Sequence, residues 1–267
     1  MFPPELPPVS NKFLYAWRVF AKLFSYFYFG FNSLILSLTV LPLMRLFLHP
    51  KERFQKYGRR FVSFHFRIFV SIMHFIGIVN LIPDNRKAYR QLSSKVIVSN
   101  HPSLLDVVML ISLIPNADCI VNGYLQHSIL SIIVRQLYIV NLGNLDEILA
   151  SCSNTLKHGN CLIIFPEGTR THRYNKSILK KGAARISLSS DCNILPVHIG
   201  GTDKYGMGKK DPWGAFNPTE RYVYLITMKD EINPADYKYL PSSAAAKCMT
   251  DEIGSRLSIN KQYKEIT

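Results

Sequence analysis

At 267 residues the chain has room for one sizeable core, and no linker-like shift in composition divides it into several domains. It is 48% hydrophobic and 19% charged, richer in apolar residues than a water-soluble domain of this length needs, so part of its surface is expected to face lipid. With 32 Lys and Arg against 18 Asp and Glu, the net charge of +14 argues against basic partners and points to anionic ones: phospholipid headgroups, acidic carrier proteins or nucleic acid.

In chain order, Pro3, Pro4, Pro7 and Pro8 deny backbone donors, and residues 1–22 are predicted to be a disordered, basic leader carrying Lys12, Arg18 and Lys22. Residues 23–44 hold no charge and match the ~20 apolar residues that cross ~30 Å of hydrocarbon, so a transmembrane or deeply embedded helix is expected over 23–48. Residues 49–82 read as a basic loop with Lys51, Arg53, Lys56, Arg59 and Arg60, followed by an interfacial helix. A second full span is disfavoured there because Arg67 at the bilayer centre would cost roughly 2.5 to 3.5 kcal/mol. The excess of Lys and Arg after the span places the rest of the chain on the cytoplasmic side of a membrane.

Residues 83–267 are predicted to form one catalytic domain. Runs at 95–99, 119–121, 138–141, 161–165, 194–199 and 222–228 read as strands, most too continuously apolar for a sheet with one wet face. Helical periodicity marks 104–114, 128–137, 145–157, 177–189 and about 243–257. The alternation argues an α/β fold, a largely parallel sheet flanked by helices and preceded by the membrane helix and the interfacial helix. The five cysteines show no C-x-x-C spacing and their odd count fits no full disulfide scheme, so they are read as reduced, mostly buried side chains with no metal site.

Two unusual segments fall where ligands collect, beyond the carboxyl ends of strands. The first is Asn100-His101-Pro102-Ser103-Leu104-Leu105-Asp106. Pro102 fits the first turn of a helix, which puts His101 at the strand-to-helix junction and Asp106 about one turn inside. A carboxylate beside an imidazole orients it and stabilises the imidazolium formed when it takes a proton, so the pair could activate a hydroxyl. The plainer alternative is an acidic helix start beside a satisfied loop histidine. The second segment is Pro166-Glu167-Gly168-Thr169-Arg170. Gly168 allows close backbone approach, Thr169 supplies a hydroxyl and Arg170 a planar fork for phosphate oxygens, while Glu167 is expected to orient Arg170 or to accept from a glycerol hydroxyl.

Together, Asn-His-x-x-x-x-Asp and Phe165-Pro166-Glu167-Gly168-Thr169-Arg170 resemble the first and third motifs of the glycerolipid and lysophospholipid acyltransferases, the family of 1-acylglycerol-3-phosphate acyltransferases. Lys181-Gly182-Ala183 and Ile194-Leu195-Pro196-Val197 resemble later elements of that family, and the likeness runs over residues 61–199. The resemblance implies transfer of a fatty acyl group from acyl-coenzyme A or acyl-carrier protein to a lysophospholipid hydroxyl, without metal or bound cofactor. It implies His101 as general base, Asp106 as its support, and Glu167, Gly168, Thr169 and Arg170 around the substrate. No G-x-S-x-G elbow surrounds Ser103, which is read as a small helix-start residue. One departure stands out: the strand ending Tyr138-Ile139-Val140-Asn141 lacks the Arg that usually closes the family's second motif. Arg135 is the expected substitute, with Lys180 and Lys181 further candidates.

Two other readings compete. A non-glycerolipid hydroxyl could be the acceptor, as in specialised lipid synthesis. Alternatively the chain could be a basic, membrane-tethered binding protein. Nucleic-acid binding is set aside, because much of the positive charge borders the apolar stretches and interleaves with no recognisable nucleic-acid module.

Overall fold

The computed structural model describes residues 6–123, 131–141, 143–170 and 178–257. The chain enters through α1 (Lys12–Ile35), capped by Asn11, whose side chain accepts from the Leu14 N–H at 3.0 Å. A π-helical stretch, Leu36–Val40, joins it without a break to α2 (Leu41–Phe47). Pro42 explains the irregularity: it has no N–H to offer the preceding turn, which widens to accommodate its ring. By length and composition the combined helix, 36 residues from Lys12 to Phe47, could cross a membrane.

This helix corrects the expected leader over 1–22, because residues 12–22 are helical. Lys22 is fully buried, its ammonium donating to the carbonyls of Gly206 and Ala215. One face, with Ala21, Ser25, Ser33, Leu36, Ser37 and Leu41, packs inward, while Phe13, Trp17, Phe20, Phe24, Phe27 and Phe31 stand exposed on the other. The expected basic loop within 49–82 is also corrected. Residues 51–60 belong to α3 (Lys51–Phe75), and Arg59 is buried there, bonded to Asp118 at 2.5 Å and to the Leu137 carbonyl at 3.0 Å. The carboxylate and the carbonyl offset part of the cost of enclosing this guanidinium, and the pair ties the helix to the domain.

The sheet has seven strands in the order β1-β7-β6-β2-β5-β3-β4. They are β1 (Val79–Pro83), β2 (Val96–Ser99), β3 (Ala117–Asn122), β4 (Ile139–Asn141), β5 (Cys161–Ile164), β6 (Ile194–Gly200) and β7 (Tyr222–Met228). All neighbours run parallel except β6 and β7, so the expected largely parallel α/β sheet is found. β1 lies within the stretch read as interfacial helix and pairs with β7. The remaining helices are α4 (Arg86–Gln91), α5 (Asp106–Leu113), α6 (Ser131–Leu137), α7 (Leu145–Lys157), α8 (Gly182–Ser190) and α9 (Ser242–Arg256). The predicted starts of α6 and α8, residues 128–130 and 177, lie outside the described residues.

Both faces of the sheet are covered, which accounts for its unbroken apolar strands. Ile97, Ile163, Leu195 and Val197 join α3 and α5 in one core, while Val96, Val98, Leu162 and Ile164 join α7, α8 and α9 in the other. β2 sits between β5 and β6, in register Val98↔Ile164 and Val98↔Pro196. The segments leaving β2 and β5 therefore emerge side by side at one edge.

Candidate active site

Asn100 anchors the first segment. Its amide donates to the Ile199 carbonyl at 2.9 Å and accepts the Ile199 N–H at 2.7 Å, clamping the end of β2 to β6. His101 follows, its ring stacked on Phe165 with centroids 4.1 Å apart. Nδ1 lies 2.8 Å from Asp106 Oδ2. Asp106 is the first residue of α5 rather than one turn inside it, since 103–105 form a turn, and its carboxylate is fully buried. Oδ2 also accepts the Ser103 N–H at 2.7 Å and Oδ1 the Ser103 hydroxyl at 2.5 Å.

A carboxylate so surrounded by donors acts as an acceptor toward the imidazole, so Nδ1 carries the ring proton. Nε2 is left with its lone pair. The His101 side chain keeps 18% of its surface against none for Asp106, so the open side of the dyad is the imidazole. Such a pair can take a proton from a bound hydroxyl.

The second segment meets the first through Glu167, whose Oε1 accepts the His101 backbone N–H at 2.9 Å. Gly168 sits at φ +70, where a Cβ would come within 2.7 Å of Lys180 Nζ, so this turn needs glycine. Thr169 is exposed at the turn. Arg170 is half-buried, and its Nη1 donates to the Met207 and Gly208 carbonyls at 3.2 and 3.4 Å. The Met207 carbonyl also takes the Leu104 N–H at 3.0 Å, so one loop ties both segments together.

His101, Asp106, Glu167, Gly168 and Arg170 thus come together. Arg135 does not. It lies at the opposite edge of the sheet, exposed on α6, lining a cavity of about 740 Å³ with Lys51, Arg53, Arg59, Tyr138 and His158. The expectation that it replaces the missing strand-end Arg is corrected: α6 runs into the start of β4, whereas His101 follows the end of β2.

Two residues behind the dyad, Tyr224 and Lys204, escaped the sequence reading. The Ser103 hydroxyl also lies 2.8 Å from the Tyr224 hydroxyl. Lys204 places its ammonium 4.7 Å from the centre of the Tyr224 ring and donates to the carbonyls of Gly200, Thr202 and Val223. Burial pulls the Lys204 ammonium down to about 8, against the opposing pull of Asp106, Asp203 and Glu220. Burial, with the Asp106 charge, pushes the Tyr224 phenol well above its ordinary range. Tyr222 and Tyr224 at a two-residue interval were a usable signal, because inward-facing tyrosines need hydroxyl partners. Lys204 offered none.

Residues 83–200 match the family described as Acyltransferase. The chain is 28% identical over 183 residues to a chloroplastic 1-acyl-sn-glycerol-3-phosphate acyltransferase of Arabidopsis thaliana, covering 63% of this chain and 49% of that protein. A related chloroplastic protein of Brassica napus is 28% identical over 179 residues, 63% of this chain and 51% of its own length, so the chain spans about half of each plant relative. A probable 1-acyl-sn-glycerol-3-phosphate acyltransferase of Mycoplasma pneumoniae is 27% identical over 216 residues, 76% of this chain and 77% of that one. In fold the chain is similar to the crystal structure of the 1-acyl-sn-glycerophosphate (LPA) acyltransferase PlsC from Thermotoga maritima, with a TM-score of 0.63, 17% identity, and 89% and 97% of the two chains covered.

Proposed function

We propose, from the match of residues 83–200 to the acyltransferase family, that this chain transfers a fatty acyl group from acyl-coenzyme A or acyl-carrier protein to the hydroxyl of a lysophospholipid. The observation that carries the reading is the His101 Nδ1 to Asp106 Oδ2 contact of 2.8 Å, with the carboxylate buried and the imidazole open. Nε2 of His101 removes the acceptor's hydroxyl proton as its oxygen attacks the thioester carbonyl. Asp106 stabilises the resulting imidazolium, and the proton passes to the departing thiolate. Neither an acyl-serine nor a bound cofactor enters this route. The relatives' names, which specify 1-acyl-sn-glycerol-3-phosphate, favour a phosphate-bearing acceptor.

The exposed aromatic face of α1 supports attachment to the membrane. Because Lys22 and the inward face of the helix pack on the rest of the chain, we place the helix embedded alongside it, and the excess of Lys and Arg after residue 44 supports a cytoplasmic side for the domain. A second acceptor reading, a non-glycerolipid hydroxyl, is favoured by the missing arginine after β4 and by the engagement of Arg170 with backbone carbonyls. Turnover of acyl-coenzyme A and acyl-carrier protein by detergent-solubilised protein, across acceptors with and without phosphate, tests both. Phosphate-bearing lysophospholipids should be preferred, and preference for a phosphate-free hydroxyl would replace them as substrate.

A further inference from the structure

The hydrogen bonds at Asp106 continue past His101 into the protein. Asp106 Oδ1 takes the Ser103 hydroxyl proton at 2.5 Å, so that proton is committed, and the Tyr224 hydroxyl 2.8 Å from Ser103 Oγ must be the donor in its own contact. The chain therefore has a direction, from the Tyr224 O–H to the Ser103 O–H to the carboxylate. Behind the phenol stands Lys204, held by three backbone carbonyls with its ammonium over the ring. All of these groups except His101 are buried.

A buried carboxylate that nothing else shares favours the charged form of the imidazole it holds. A general base has to start neutral. Donors that share the carboxylate's charge, and a cation beside it, loosen that hold. We infer that Tyr224 and Lys204 are positioning residues which, with Ser103, draw charge from Asp106 and so set how tightly the His101 imidazole holds the proton it takes. This rests on the general-base reading of His101. The other charged groups around the dyad are Glu167, which takes the His101 N–H, and Arg170 and Lys180 near the second segment, while Asp203 and Glu220 act on Lys204. The Tyr224 phenol stays protonated across the working range, and Lys204, at about 8, remains mostly charged at pH 7.

The test uses the full chain in detergent micelles, as wild type and as Tyr224→Phe, Ser103→Ala, Lys204→Met and Lys204→Arg. With acyl-coenzyme A as donor, the acid limb of kcat/KM should move to higher pH, by about half a unit for Tyr224→Phe and about one unit for Lys204→Met, with donor KM little changed. Lys204→Arg, which keeps the charge, should stay near wild type. Independently of turnover, the ring titration of His101, followed by NMR on ¹⁵N-histidine-labelled protein, should move in the same direction. Thermal melts identify the folded variants, and Tyr224→Phe, which loses one oxygen, serves if Lys204→Met does not fold. A purely structural role predicts lower melting points with both titrations unmoved, and that result in a folded Tyr224→Phe protein overturns the proposal. A ring titration that moves while His101→Ala still turns over supports the charge-sharing network and discards the general-base reading instead.

Discussion

Glu167 Oε1 accepts the His101 backbone N–H at 2.9 Å, so the two strand-end segments, about sixty residues apart, are joined at the backbone of His101. Removing this acceptor frees the loop that aims His101. Glu167→Ala should lower kcat roughly 10- to 100-fold, since small misplacement of a catalytic group is costly. Glu167→Gln keeps an acceptor oxygen and should retain most activity. Equal loss in both variants would mean that the Glu167 charge, rather than its hydrogen bond, matters.

His101→Ala should lose 10² to 10⁴-fold in kcat, or roughly 3 to 5 kcal/mol of barrier, because an alcohol is a poor nucleophile without a base. Asp106→Asn should fall by a similar order. On the proposed mechanism the two serve one proton transfer, so the double variant should be hardly worse than His101→Ala alone. Additive losses in steady-state kinetics would contradict the pairing.

Arg170 and Arg135 separate in this fold. Arg170→Ala should weaken acceptor binding by roughly 2 to 5 kcal/mol if its remaining donors meet a phosphate. It should also loosen the loop at Met207 and Gly208. Arg135→Ala, at the far edge of the sheet, should leave kcat and both KM values as in wild type. A large acceptor KM effect from Arg135 would require the acceptor to reach the opposite end of the domain.

The Arg59 to Asp118 pair sets the attachment of α3. Its side chains retain 6% and 1% of their surface, and loss of one partner from so buried a pair costs roughly 3 to 5 kcal/mol. Arg59→Met should lower the denaturant midpoint accordingly, whereas Arg59→Met combined with Asp118→Leu should recover much of the loss. A single variant as stable as wild type would show that the ion pair contributes nothing net.

Lys204 also predicts a pH dependence of stability. Its folded ammonium titrates near 8 against an ordinary value of 10.5, so between those values the unfolded chain binds more protons and stability rises with pH. Across that window wild type should gain roughly 3 kcal/mol relative to Lys204→Met, at 1.36 kcal/mol per unit. Denaturant melts of both proteins at pH 7.5 and 10 measure it, and a constant difference would show that the lysine is not held in a low-dielectric site.

What the sequence determined by itself was local. Continuous apolar runs such as Val96–Ser99 and Cys161–Ile164 specified strands covered on both faces, and the motif residues at their ends marked the site, because strand-end position is readable from neighbours in the chain. Period 3.6 located α7 in full, since its stripe depends on spacing alone. What only the tertiary structure decided was non-local. Charge put Lys22 in a disordered leader and Arg59 in a basic loop beside the membrane, yet each is buried on carbonyls or a carboxylate contributed by distant segments. Arg135 was placed by proximity in the chain to a motif, whereas α6 leads into the amino end of β4 and His101 follows the carboxyl end of β2. Tyr224 and Lys204 reach Asp106 only because β7 turns antiparallel to β6 and brings a late strand behind an early loop. Partners separated by a hundred residues leave no periodic trace, so their hydrogen bonds exist only once the sheet has chosen its neighbours.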